Sequence, residues 1–149
     1  MIILFDIDGT LMDIEHRRHF VDAHQGKNDW DSFLDPKIMA NDTPNWPVVN
    51  MALLLDNGVA NRVIMVSARN ERHRDVTQRQ MEAVGLGNCF LFLRPDGDFR
   101  ADDEFKKDVL DELTKQDMRP DLVFDDRNRV VDMWRREGIS CFQVAEGDF

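Results

Sequence analysis

The sequence is short of cysteine, of positive charge and of long apolar runs. Its two cysteines, Cys89 and Cys141, each lie in an apolar segment. No histidines accompany them at ligand spacing, so they read as small buried side chains rather than a zinc site. A reducing, cytoplasmic setting is the expectation. No stretch approaches the roughly 20 apolar residues that a membrane-crossing helix needs. The start, Met1-Ile2-Ile3-Leu4-Phe5-Asp6, has neither the basic region nor the small-residue cleavage site of a signal peptide, so none is expected. A GxxxxGK[ST] loop is also missing, which argues against an ATP-dependent kinase on this chain. The net charge of −10 argues against a non-specific nucleic-acid coat, which needs a cationic field. It does not argue against an enzyme that grips one phosphate at a strand end.

What is present is a chain of 149 residues, 42% hydrophobic and 32% charged, suited to one domain spanning 1–149 with one sizeable core. Five apolar runs lack period-two alternation and read as parallel strands covered on both faces. They are Ile2 to Phe5, Val63 to Val66, Phe90 to Leu93, Leu122 to Phe124 and Ser140 to Val144. Between them, Pro47 to Leu55, Asp75 to Val84, Asp102 to Leu113 and Arg127 to Glu137 carry helical spacing, several closed by glycine. The alternation predicts an α/β fold with a central parallel sheet of about five strands and helices on both faces. Residues 12–46 are read as a small helical insert beside the site. Three of the strands end in polar residues: Asp6, Ser67 and Asp125-Asp126. In an open parallel sheet such endings converge on one crevice.

The chemistry those endings permit is phosphoryl transfer. In Asp6-Ile7-Asp8-Gly9-Thr10, Asp6 and Asp8 reach one site only if the chain turns, which Gly9 permits. A strand-end carboxylate can attack phosphorus, and a second can protonate the leaving oxygen. Two anions facing a phosphate demand a cation, and Mg²⁺ suits oxygen ligands. Asp125-Asp126 would complete a metal site with Asp6, although Asp126 could instead cap the helix that follows. Ser67 and Arg69 could hold the phosphate oxygens that are not transferred. Lys106, or its neighbour Lys107, could neutralise Asp6 and the phosphate. His16, Arg17 and Arg18 read equally as a phosphate clamp or a solvated helix face. Trp30 and Phe33 are expected in the core, with base stacking as the alternative.

These motifs, in this order, resemble the haloacid dehalogenase superfamily. Phe5-Asp6-Ile7-Asp8-Gly9-Thr10-Leu11 is a full match to its first motif. Ser67 with Arg69 looks like the second, Lys106 the third and Asp125-Asp126 the fourth. The stretch from Asp125 to Arg136, the terminal Gly147-Asp148-Phe149, and Gly97 to Lys106 look like the phosphatase half of phage polynucleotide kinase-phosphatases. The resemblance implies a Rossmann-like fold and Mg²⁺-dependent removal of 3′-phosphates from DNA or RNA ends or from nucleoside 3′-phosphates. It implies Asp6 as nucleophile, Asp8 as general acid and base, and Mg²⁺ held by Asp6, the Asp8 carbonyl and Asp125 or Asp126. Asp126 is favoured as the direct ligand. It gives Arg17, Thr10, Arg69 and Lys106 phosphate or substrate roles, with Asp102 orienting Arg69 and Lys106. A separate kinase or ligase acting in end repair is the implied partner. Because Asp8 must be protonated at the first step, a mildly acidic to neutral optimum is expected. The alternatives are a phosphatase for free nucleotides or small phosphometabolites, and a metal- or phosphate-binding module without turnover.

Overall fold

A computed structural model describes residues 1–22 and 25–147. Asp148 and Phe149, part of the terminal resemblance, lie outside the described residues. The strands are β1 (Ile2–Phe5), β2 (Met12–Asp13), β3 (Thr43–Pro44), β4 (Arg62–Asn70), β5 (Phe90–Arg94), β6 (Leu122–Arg127) and β7 (Ser140–Gly147). The helices are α1 (Glu15–Arg18), α2 (Trp30–Phe33), α3 (Pro36–Met39), α4 (Trp46–Asp56), α5 (Arg74–Ala83), α6 (Asp102–Lys115) and α7 (Asn128–Arg136). A 3-10 turn, Glu71–His73, precedes α5.

Five strands form one parallel sheet in the order β5-β4-β1-β6-β7. β1 is central because it is apolar throughout and needs cover on both faces. Its side chains alternate. Ile3 and Phe5 point into a core with Val49 and Ala52 of α4 and Met81 of α5. Leu4 points into a second core with Val109, Leu110 and Leu113 of α6 and Val130, Val131 and Trp134 of α7. Each fully buried side chain of this size is worth roughly 1.5–3 kcal/mol. The expected α/β architecture is therefore present, with helices on both faces.

The register fixes where the crevice falls. Phe5 pairs with Met65 of β4 and Phe124 of β6, so the chain just beyond all three strands emerges at one edge. The order turns back beside β1, which is the topological switch point of such a sheet. Four strands run further than their apolar residues suggested, β5 to Arg94 and β7 to Gly147 among them. β4 continues past Ser67 to Asn70 with an irregular register, and β6 includes Asp125 and Asp126. The cap position of α7 is consequently Arg127, not Asp126. Gly138, with φ 76°, closes the chain after α7 in a backbone conformation that favours glycine.

The described residues between 12 and 46 include the single-turn helices α1, α2 and α3 and a two-stranded antiparallel sheet of β2 and β3. Asp29 accepts from the Ser32 amide at 3.0 Å and starts α2. Asp35 accepts from the Lys37 amide at 2.8 Å and starts α3, with Pro36 in its first turn. Two-residue strands show no alternation, so the small sheet left no pattern to read. No helix among the described residues is long and apolar enough to cross a membrane.

Candidate active site

Asp6 is the first residue beyond β1, held by its amide donating to the Phe124 carbonyl at 2.9 Å. The chain then turns. The Met12 amide donates to the Ile7 carbonyl at 2.8 Å, and Gly9 adopts φ 81°. A Cβ at Gly9 would overlap the Asp126 carboxylate, so glycine serves both the turn and the close approach. The turn brings Asp6 and Asp8 to the same cleft.

Around Asp6 the balance is negative. Asp6, Asp125 and Asp126 are all buried and offer oxygens within 4.8 Å of one another. One ammonium answers them: Lys106 donates to Asp6 at 2.6 Å and Asp125 at 2.7 Å. Lys107 instead pairs with Asp111 on the helix surface at 2.5 Å. Asp125 also accepts from the Trp134 indole at 3.3 Å. Burial pushes the Asp6 carboxyl up, Lys106 pulls it back, and Asp125, Asp126 and Asp8 push it up further, so it sits well above the ordinary value. Burial and the neighbouring Asp125 likewise push Asp126 to about 7. Lys106 loses by burial but gains more from Asp125 and Asp6, and its pKa rises. An all-oxygen trio with unneutralised charge fits a hard divalent cation such as Mg²⁺.

Around Asp8 the balance is reversed. Arg69 donates to its two oxygens, from Nε at 2.9 Å and from the terminal nitrogen at 2.7 Å, and Arg17 makes a further short contact. Burial pushes the Asp8 carboxyl up, but the Arg69 and Arg17 guanidiniums outweigh it and hold it well below the ordinary range. Behind both arginines stands Asp42, which accepts from Arg17 at 2.7 and 2.8 Å, from Arg69 at 2.8 Å and shares a 2.9 Å bond with His16. Arg17 also donates to the Phe33 carbonyl at 3.0 Å. Arg69 completes its fork on Thr77 at 3.1 Å and Gln80 at 2.6 Å.

The cleft has a volume of about 360 Å³ and includes Asp6, Asp8, Arg69, Lys106 and Asp126 in its wall. Asp102 is there too, but it pairs with Arg94 and Arg127 rather than with the Arg69 and Lys106 it was expected to orient. Arg17, Ser67, Thr10 and Asp125 do not line it. Arg17 is fully buried behind Asp8. The Ser67 hydroxyl accepts from the Arg69 amide at 3.2 Å. Buried Thr10 accepts at its carbonyl from Asn45 at 3.0 Å. Trp30, expected in the core, is 40% exposed and lines the cleft; Phe33 is buried as expected and also contributes to the wall.

Sequence reasoning missed Asp42 and Arg94. Asp42 precedes a two-residue strand and carries no spacing signal. Arg94 was within reach, because it is a fourth polar ending on an apolar strand. It lines the cleft, is 8% exposed, and its Nε has no partner among the described residues. A buried unpaired donor is costly to the fold.

Residues 1–149 match the family described as the polynucleotide kinase PNKP phosphatase domain. The chain belongs to that family and is a phosphatase-type hydrolase of the haloacid dehalogenase class. Among solved structures it is similar to a chain of the Pnkp1/Rnl/Hen1 RNA repair complex, at 30% identity over 99% of this chain and 43% of that one, with TM-score 0.80. A second Pnkp1/Rnl/Hen1 complex matches at 30% identity over 99% of this chain and 46% of that one, with TM-score 0.78. The chain thus spans less than half the length of either. A haloacid dehalogenase-like hydrolase from Streptococcus pneumoniae shares the fold at 11% identity, with TM-score 0.65 over 95% of this chain and 83% of that one.

Proposed function

We propose that this domain removes 3′-phosphates from nucleic-acid ends or nucleoside 3′-phosphates through an aspartyl-phosphate on Asp6, with Mg²⁺ as cofactor. The observation that carries the reading is the opposed setting of Asp6 and Asp8. One lies in an anion-rich trio, the other in an arginine cage, and both face one cleft. Family membership supports a phosphatase. The RNA repair complexes named for the two similar structures support an end-repair setting with a kinase or ligase as partner.

Asp6, the Asp8 carbonyl and Asp126 would hold the ion, with Asp125 behind them. Asp126 lines the cleft and Asp125 does not, which supports that ranking. The bound ion would offset the repulsion between the carboxylates and the phosphate and help stabilise the transition-state charge.

Asp6 attacks phosphorus in line while the bond to the 3′-oxygen breaks. Lys106 favours the ionised form of Asp6 against burial and the neighbouring carboxylates, and its hydrogen bond aims the carboxylate. Asp8 gives its proton to the leaving oxygen, then takes one from the water that opens the aspartyl-phosphate. Its arginine cage favours the ionised form of Asp8, so the first proton must come with the substrate. A phosphate monoester monoanion carries one, with a second pKa near ~6. A mildly acidic to neutral optimum follows. A rate that climbs steadily to about pH 9 would contradict this role. Arg17 and Arg69 have their donors on Asp8, Asp42 and other protein groups. Their proposed work is to position Asp8, and Arg94, with its unpartnered Nε, takes a phosphate oxygen. Ser67 and Thr10 shape the turns around the phosphate.

The test is inorganic phosphate release with and without Mg²⁺ from a 3′-phosphorylated oligonucleotide, a nucleoside 3′-monophosphate and a 5′-monophosphate. Faster release from the 3′-phosphates, lost with EDTA, supports the reading. Preference for the 5′-monophosphate would replace it with a general nucleotide or metabolite phosphatase.

A further inference from the structure

Two of the exposed large hydrophobic side chains lie in the wall of the catalytic cleft, Trp30 at 40% and Phe99 at 90% exposure. They come from separate segments. Trp30 opens α2, and Phe99 sits in the loop between β5 and α6. Leaving a phenylalanine almost fully in water forgoes the gain of burying it, and the same loop supplies Arg100 to the cleft wall.

Trp30 is held in place. Its ring meets Phe33 edge-on, 5.5 Å between centroids at 83°. Phe33 also meets Arg17, whose guanidinium carbon lies 4.3 Å from the Phe33 ring centre. The same Arg17 touches Asp8, and Phe33 packs between that arginine and the Trp30 ring. The guanidinium carbon of Arg127 lies 6.0 Å from the Trp30 ring centre.

Arg94, Arg100, Arg127 and Arg129 share the cleft with these rings, in a protein of net charge −10. Each of these arginines is paired with an aspartate, Arg94 and Arg127 with Asp102, Arg100 with Asp98 and Asp108, and Arg129 with Asp103, so the flat apolar faces do the selecting, and they suit a ligand with a flat aromatic ring. A cleft of about 360 Å³ is in the small-molecule range of roughly 300–1,000 Å³.

We infer that Trp30 and Phe99 form a nucleobase subsite, in which the base carried by the reacting phosphate's own sugar stacks. This rests on the phosphatase reading above and adds to it the part of the substrate that is recognised. Stacking uses the π-face every base has, so the subsite tolerates any base. The gain is in binding, because the rings lie away from the bonds that change.

The experiment compares wild type, Trp30→Ala, Trp30→Phe and Phe99→Ala on two substrates with Mg²⁺. One is a nucleoside 3′-monophosphate, the other a 3′-phosphorylated sugar that lacks the base. Trp30→Ala is expected to raise KM for the nucleotide by about tenfold with little change in kcat. It should leave the base-less phosphate unaffected. Trp30→Phe, which keeps a stacking face, should retain most of the affinity, and Phe99→Ala should lose less than Trp30→Ala. Equal losses on both substrates, or no loss on either, overturn the subsite while wild-type turnover leaves the phosphatase reading standing. Wild type inactive on both substrates would overturn the phosphatase reading, and the subsite with it.

Discussion

Two charged clusters that meet at one cleft, built from the same kinds of side chain, have opposite charge balances. On one side Asp6, Asp125 and Asp126 face a single lysine, and the Asp6 and Asp126 carboxyls are driven up. On the other, Asp8 and Asp42 are matched by Arg17 and Arg69, and the Asp8 carboxyl is driven down. Asp6 and Asp8 are two residues apart, so sequence proximity does not set their environment. The turn at Gly9 sends each to a different set of neighbours. The lesson is that charge left over and charge cancelled do different work. The unbalanced trio is a place for a cation to bind. The balanced cage holds a carboxylate still.

The sharpest way to break the comparison is to neutralise each carboxylate in turn. Asp6→Asn should reduce phosphate release by at least ~1,000-fold, as loss of a nucleophile does, with the circular-dichroism spectrum unchanged. Asp8→Asn should cost roughly 10²–10⁴-fold, the range for a general acid-base group. If either retains a tenth of the wild-type rate, the division of labour is wrong.

Third in size is a stability effect. Asp42→Ala leaves Arg17 and Arg69 buried with part of their charge uncompensated, and a broken buried pair costs about 3–5 kcal/mol. Urea unfolding should show it. A change under about 1 kcal/mol would mean that the cage is not structural.

The metal side has its own signature. The Asp126 carboxyl rises on folding from 3.8 to about 7, so between those values the folded protein binds the extra proton. Its contribution therefore makes the metal-free protein less stable as pH rises through that window. Asp8 runs the other way. Its contribution is present above the ordinary carboxylate value and is lost on acidification through its lowered one. Mg²⁺ binds the ionised carboxylates, so it should raise the melting temperature more at about pH 8 than at about pH 6. An equal rise at both would place the ion elsewhere. The smallest effect is expected for Lys107→Ala, whose partners are the surface groups Asp111 and Glu137. Turnover should be unchanged, in contrast to Lys106→Ala.

Much of this arrangement was legible in the chain itself. The five strands and four longer helices follow from unbroken apolar runs and helical spacing, because a sheet covered on both faces demands that pattern. The acidic endings at Asp6 and Asp125-Asp126 were visible because they interrupt those runs. What stayed hidden was the pairing of buried charges. Arg17 and Arg69 read as phosphate clamps, since nothing in a one-dimensional sequence says that Asp42, distant from both, has claimed their donors. Asp102 was assigned the wrong cations for the same reason. Trp30 read as core because large aromatics usually are, and only the fold reveals that α2 presents it to the cleft.

The central claim is that the trio gathers one divalent ion beside Asp6. It is tested most directly by a crystal grown with Mn²⁺ in place of Mg²⁺ at neutral pH and measured for anomalous scattering. A single peak bound by Asp6 and Asp126 is the predicted result. Asp6 and Asp126 turned away from each other, with the peak absent or held by other residues, would contradict it.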